Sequence, residues 1–295
     1  MSPAFSSVLA LTSAALLYSS FAVLTRIIGF DLPLFFASFT RNLLAALLLL
    51  LPLWLLGKWQ HMSRRDWFWL CLRSAGGILG FVGSYYAFYY LPMGTAYFIF
   101  YAGSTIMGFF LGRLFFGEKI EGVELLALVL SIVGLGMIYS LSGIDWQLLN
   151  HMLLALAGGV GSAIWNVFSK KVSSKYSAIQ LNGADFAIFA VLTVVISLVR
   201  QEAWVLPAWN VLWLANLLFV LMFVITGWLV IYGFKNLDSQ KGSLLMLLEV
   251  VFGVVVGFLV YQETLSVGAV LGGLLILLGA ALPNLPGLVN HQKIS

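Results

Sequence analysis

The sequence predicts an all-α membrane protein with ten transmembrane helices arranged as two inverted five-helix repeats. Three observations carry that expectation. Hydrophobic residues make up 62% of the 295 and charged residues only 9%, whereas a soluble domain carries about 25% charged residues. The apolar residues fall into ten runs, each about the ~20 residues that a helix needs to cross hydrocarbon. The second half of the chain also repeats the first at a shift of 144 to 145 residues.

The runs lie near 6–28, 32–56, 66–90, 92–115, 120–141, 148–170, 178–200, 209–234, 239–261 and 265–285. They are too long and too lacking in alternation to be barrel strands. The first has no basic segment before it and no soluble domain after it, so it reads as a span and not as a cleaved signal. Arg26 near its end is placed to snorkel to headgroups. The second run holds Arg41. The third holds Arg73 beside Gly76 and Gly77, either snorkelling or lining an inner vestibule. The turn "LPMG" (91–94) leads into the fourth run. "FVGSYYAFYYLPMGTAYFIFY" (81–101) carries six tyrosines and four phenylalanines. Tyr86, Tyr89 and Tyr90 fit an interfacial belt, but Tyr97 and Tyr101 enter the fourth run.

Small-xxx-small pairs follow at Gly108/Gly112 and Gly253/Gly257, where backbones are expected to approach closely. Gly158, Gly159 and Gly161 in the sixth run and Gly268, Gly272 and Gly273 in the tenth extend that pattern. Trp165 and Asn166 lie inside the sixth run, Asp185 inside the seventh, and Thr226 and Trp228 inside the eighth. The ninth, "LLMLLEVVFGVVVGFLVYQE" (244–263), is almost pure hydrocarbon around Glu249. An ionisable group at the centre of a membrane helix costs roughly 2.5–3.5 kcal/mol on insertion scales, so it is expected to face protein or a wet cavity.

Basic residues set the orientation. With the N-terminus in the cytoplasm, eleven lie in inside connections or on the tail (Lys293) and two, Arg26 and Arg200, lie outside. This bias predicts that both termini are cytoplasmic and that the protein sits in the cytoplasmic (inner) membrane. The net charge of +4 follows from that distribution and gives no sign of nucleic-acid binding. One cysteine, Cys71, excludes an internal disulfide, and His61, His151 and His291 show no ligand spacing. No metal, cofactor or catalytic residue is expected. The three histidines lie in connections or at span ends, away from any deep cluster that a membrane-embedded enzyme would need.

"GFFLGRLFFGEKI" (108–120) lies over "GVVVGFLVYQETL" (253–265), matching Gly108 to Gly253, Gly112 to Gly257 and Glu118 to Glu263. "VLTR" (23–26) lies over "VFSK" (167–170). Five spans per half is odd, so the halves, 1–144 and 145–295, are expected to be inverted, with a site near the midplane between them. The same register sets Arg41 against Asp185 and Ser104 against Glu249. Arg41 and Asp185 form either an internal pair or a working pair. In the working reading Arg41 holds a carboxylate or phosphate, and Asp185 serves a proton step or gating.

With "SSFAVLTR" (19–26), "IWNVFSKK" (164–171), "GEKIEGVELLALVLSIVGLGMI" (117–138) and "YQETLSVGAVLGGLLILLGA" (261–280), the chain resembles the EamA-type transporters of the drug/metabolite transporter superfamily over essentially its whole length. The resemblance implies two EamA-like repeats and transport of a small organic metabolite, and it supplies no shared catalytic motif. The residues themselves nominate Glu249, Tyr97, Tyr101, Ser104, Trp165, Asn166, Trp228 and Arg41 as substrate contacts. Glu249 and Asp185 are nominated for proton coupling or gating. An amino acid or related compound fits an aromatic cavity with acid and base. A multidrug or organic-cation exporter of the same fold, or a membrane protein that does not transport, are the alternatives. No Walker-type motif is present, so the drive is either the substrate gradient or protons. Import and export both stay open, as do monomer and homodimer.

Overall fold

Helix starts are written into the connections. Ser63, Ser177, Asn210 and Ser266 each accept a hydrogen bond from the backbone N–H three residues on (3.0 to 3.2 Å), satisfying a donor that the first turn leaves free. In a computed structural model of the chain, which describes residues 2–28, 31–91, 93–139 and 146–284, these caps open the helices that begin at Arg64, Ala178, Val211 and Val267. No strand occurs among the described residues. The side chains of Arg26 and Tyr89, the 142–145 connection and the tail with His291 and Lys293 lie outside the described set.

The helices are α1 (Pro3–Ser19), α2 (Phe21–Ile28), α3 (Leu34–Leu55), α4 (Arg64–Tyr90), α5 (Met93–Phe116), α6 (Gly122–Tyr139), α7 (Leu149–Val167), α8 (Ser169–Ser173), α9 (Ala178–Val199), α10 (Val211–Asn236), α11 (Ser239–Met246), α12 (Leu248–Tyr261) and α13 (Val267–Ala281). Three expected single spans are broken: α1 from α2 at Ser20, α7 from α8 at Phe168, and α11 from α12 at Leu247. Taking the pieces of each broken span together, nine helices among the described residues are long and apolar enough to cross a membrane. The chain is a multi-pass membrane protein. α4, with 27 residues, is long enough but carries Arg64, Arg65, Asp66 and Arg73.

The packing has an exchange symmetry. α3 packs on α9, α6 on α13, and α5 on α11. α4 packs on α7 as α10 packs on α1, and α5 packs on α7 as α12 packs on α1. Replacing each helix by its counterpart in the other half leaves these pairings unchanged. Glycine permits the closest of them. A Cβ on Gly134 of α6 would lie 3.0 Å from Leu275 Cβ on α13, and one on Gly272 would strike Gly134 O. Gly253 behaves otherwise: nothing lies within 4 Å of a Cβ built there, so the expected close approach at that glycine is not made.

Polarity is inside out relative to a soluble fold. Leucines and valines of α3, α6 and α13 face outward, while Arg41, Arg73, Asp185, Asn166 and Gln180 are buried. This is the distribution that lipid favours, because only the interior can supply hydrogen bonds.

Candidate functional site

A cavity of about 270 Å³ lies between the halves, walled by residues of α1, α3, α4, α5, α7, α9, α10, α11 and α12. α6 and α13 contribute no lining residue. They pair with each other outside the ring that encloses the space.

Eight aromatic residues stand in the wall. Phe81, Phe100, Phe186, Phe189 and Phe223 line it with Tyr18, Tyr101 and Trp165. Three charged residues line the space, Arg41 from the first half and Asp185 and Glu249 from the second. Arg41 on α3 is 8% exposed. Its Nε donates to Ala37 O (3.1 Å), and its guanidinium lies 4.5 Å from the centre of the Phe219 ring, a favourable cation–π geometry. Among the described residues no carboxylate pairs with it. Glu249, in the first turn of α12, lines the same cavity. The Tyr101 phenol of α5 lines the cavity with it and is its polar partner there. The break at Leu247 sits two residues before it, so the helix is interrupted where the carboxylate enters.

Asp185 has a different environment. It is fully buried and ion-paired with Arg73 of α4. It accepts hydrogen bonds from the Ser74 hydroxyl and from Trp165 Nε1 (2.7 Å), while the Arg73 guanidinium stacks 4.4 Å from the Trp165 ring centre. The pairing of Arg41 with Asp185 that register suggested is therefore not formed. Arg73 neither snorkels nor lines the cavity; it neutralises Asp185 and, with it, orients Trp165 as a wall. Losing one member of such a pair would strand a buried charge.

Of the other expected contacts, Ser104, Trp165 and Asn166 line the cavity. Asn166 is 8% exposed, and its Oδ1 has no partner among the described residues, leaving an acceptor at the wall. Tyr97 stands behind Tyr101, its ring centroid 5.9 Å from that of Tyr101 and 5.4 Å from that of Tyr139, nearly parallel to both. It braces the site without lining it. Trp228 is a correction: it is 43% exposed on the outside of α10 and stacks on Tyr232, because the turn of the helix that sends Thr226 to the cavity sends Trp228 away from it. Sequence reading missed Tyr18, Ser38, Asn42 and Ser162, which also line the space. Asn42 was findable as the neighbour of Arg41. Tyr18 was not, since nothing in its register marked it.

Comparison with known proteins gives a consistent picture. The family model described as the EamA-like transporter family matches residues 5–140 and 149–285. The "uncharacterized transporter YvbV" of Bacillus subtilis (strain 168) is 28% identical over 198 residues, covering 66% of this chain and 64% of that protein. An "uncharacterized transporter" of Archaeoglobus fulgidus is 28% identical over 165 residues, covering 55% of this chain and 57% of its own. The match thus spans less than two thirds of either relative's length. A solved crystal structure has a TM-score of 0.77 at 18% identity, covering 94% of this chain and 96% of its own, and so shares the fold.

Proposed function

This chain belongs to the EamA-like transporter family, and from that premise we propose that it is a secondary transporter of a small organic metabolite, an amino acid or a related zwitterion. The ten spans form two inverted halves, residues 1–144 and 145–295, in the cytoplasmic membrane with both termini inside. Rocking of the halves alternates access to the cavity. The carrying observation is that Arg41 from one half and Glu249 from the other face a single aromatic cavity with no ion pair between them.

A cation and an anion kept apart in a low-dielectric space are each under-compensated. A molecule bearing a carboxylate and an ammonium would satisfy both, with its apolar part against the rings. Arg41 offers the planar donor fork suited to a carboxylate. Glu249 and Asn166 Oδ1 offer acceptors for an ammonium. Glu249 is the residue that would exchange a proton where transport is proton-coupled. The aromatic wall with Glu249 also favours an organic cation, in which case Arg41 would serve packing alone.

Counterflow in liposomes containing only this protein tests the assignment. Labelled aromatic and aliphatic amino acids, their decarboxylated amines and their N-acetylated acids form the panel. Exchange of the amino acids alone is the expected result. Exchange of the amines at equal or higher rate establishes the organic-cation reading instead. No exchange of any member in protein shown to be folded overturns both.

A further inference from the structure

We infer that Glu118 is a latch holding the two halves together at one end of the molecule, and that a second copy of its motif, ending in Glu263, serves the opposite end. The inference rests on the alternating-access reading and adds the device that decides which end is shut.

Glu118 leaves α5 through a tight turn. Gly117 takes φ +66°, a backbone region that favours glycine, and the Glu118 N–H donates back to Gly112 O at 3.3 Å. The turn lays the carboxylate over Gly112, where a Cβ would strike Glu118 Oε2 and lie 2.8 Å from Ser239 Cβ. So placed, and 8% exposed, the carboxylate pairs with Lys170 of α8. It also accepts from the Ser239 N–H (2.7 Å) and the Ser239 hydroxyl (3.1 Å) at the start of α11. Lys170 donates in turn to Leu237 O at 2.8 Å. One carboxylate of the first half therefore ties down two separate segments of the second.

The latch is mechanically joined to the cavity. α11 begins at Ser239, and one and two turns later presents Ser243 and Met246 to the cavity wall. Gly108, one turn before Gly112, abuts that same Ser243. A ligand that shifts the wall thus shifts the helix on which the latch closes. The closed end is also imperfectly satisfied. Gln240, next to Ser239, is fully buried with both side-chain polar atoms unpartnered among the described residues. Wetting on opening would supply those partners, which keeps the two states close in energy.

The second copy repeats the geometry. Gln262 takes φ 56° where Gly117 takes +66°, and the Glu263 N–H donates to Gly257 O at 3.2 Å. A Cβ on Gly257 would lie 2.5 Å from Glu263 Oε2. Ser239 touches Glu118, and the helical segment Ser239–Tyr261 then runs 23 residues, about 35 Å at 1.5 Å per residue. Glu263 therefore stands at the far end. By sequence register the counterpart of Lys170 is Arg26, whose side chain lies outside the described residues.

Spin labels at Gly122→Cys and Ser174→Cys, in a Cys71→Ser background, report the separation of the halves at the Glu118 end. Both positions are exposed, and a Cβ at Gly122 meets nothing within 4 Å. Pulsed dipolar distances in lipid nanodiscs should show a short component that Glu118→Gln depletes, shifting the open-to-closed ratio by about tenfold, the effect of losing a charge-assisted hydrogen bond. Lys170→Gln should act in the same direction and carries the test if Glu118→Gln does not fold. Glu263→Gln should leave the short distance in place or enrich it. An unchanged distribution in both Glu118→Gln and Lys170→Gln overturns the latch, and opening of this end by Glu263→Gln overturns its division between the ends. The distances need no known substrate. Shifts as expected in a protein that exchanges nothing would uphold the latch while the transport assignment fell.

Discussion

At the scale of single residues, two acids that look alike in sequence do different things. Glu249 lines a cavity with Tyr101 as its partner, and Asp185 is saturated by Arg73, Ser74 and Trp165. Glu249→Gln keeps the size and much of the hydrogen bonding but removes the charge. It is expected to leave a folded protein whose counterflow falls at least about tenfold, the size of one lost charge-assisted contact. Wild-type exchange by the variant at every pH tested would reduce Glu249 to a structural role. Arg73→Leu leaves the Asp185 carboxylate buried and unpaired, at a cost of roughly 3–5 kcal/mol. Thermal unfolding in detergent should show a large drop for that variant and a much smaller one for Arg73→Leu with Asp185→Leu. Equal losses would mean that the ion pair is not what holds α4 to α9. Sequence separation hid this pair: its members stand 112 positions apart, and register pointed to Arg41 instead.

At the scale of elements, the glycines divide by what faces them. Gly272 of α13 sits against the α6 backbone at Gly134. Gly272→Val forces the two helices apart, at an overpacking cost of roughly 1–3 kcal/mol, and the unfolding temperature should fall accordingly. Gly253 has open space around it, so Gly253→Ala should stabilise α12 by roughly 0.5–1 kcal/mol through helix propensity alone. A drop in stability there would show that the clearance is used in another state of the protein. Both glycines fit the same spacing motif on paper. The helix spans were legible because hydrocarbon length and polarity are local properties of a segment. The breaks at Ser20, Phe168 and Leu247 were not, since no proline marks them.

For the whole molecule, the charge bias predicts the orientation. The connection at 58–63 is joined to the second half by the reciprocal bonds of Gln60 and Gln180 (2.7 and 3.0 Å), at the same end as Glu118. The 201–208 connection, whose Glu202 caps α3 at Phe35 and Phe36 (3.2 and 2.8 Å), lies at the other end. Reporter fusions in 58–63 are expected to read cytoplasmic and those in 201–208 external; the reverse would invert the topology. Fusions at 142–145, outside the described residues, should agree with the second set. A cysteine at Tyr101, without Cys71, should react with a water-soluble thiol reagent faster than one at Val255, which is 46% exposed on the apolar exterior. Equal rates would mean that water does not reach the cavity.

The sequence by itself determined that the chain lives in a membrane, where its helices lie and that it is built twice. Each of these follows from composition, segment length or internal register, which are additive along the chain. Tertiary structure decided which polar residues meet. It put Arg73 and not Arg41 on Asp185, sent Thr226 inward and Trp228 outward, and brought Glu118 to Lys170 and Ser239 across the halves. The physical reason is that a helix fixes only the angle at which each side chain leaves its axis. What that side chain faces depends on how neighbouring helices are rotated, and those rotations are set by close packing at glycines and by ion pairs such as Arg73 with Asp185.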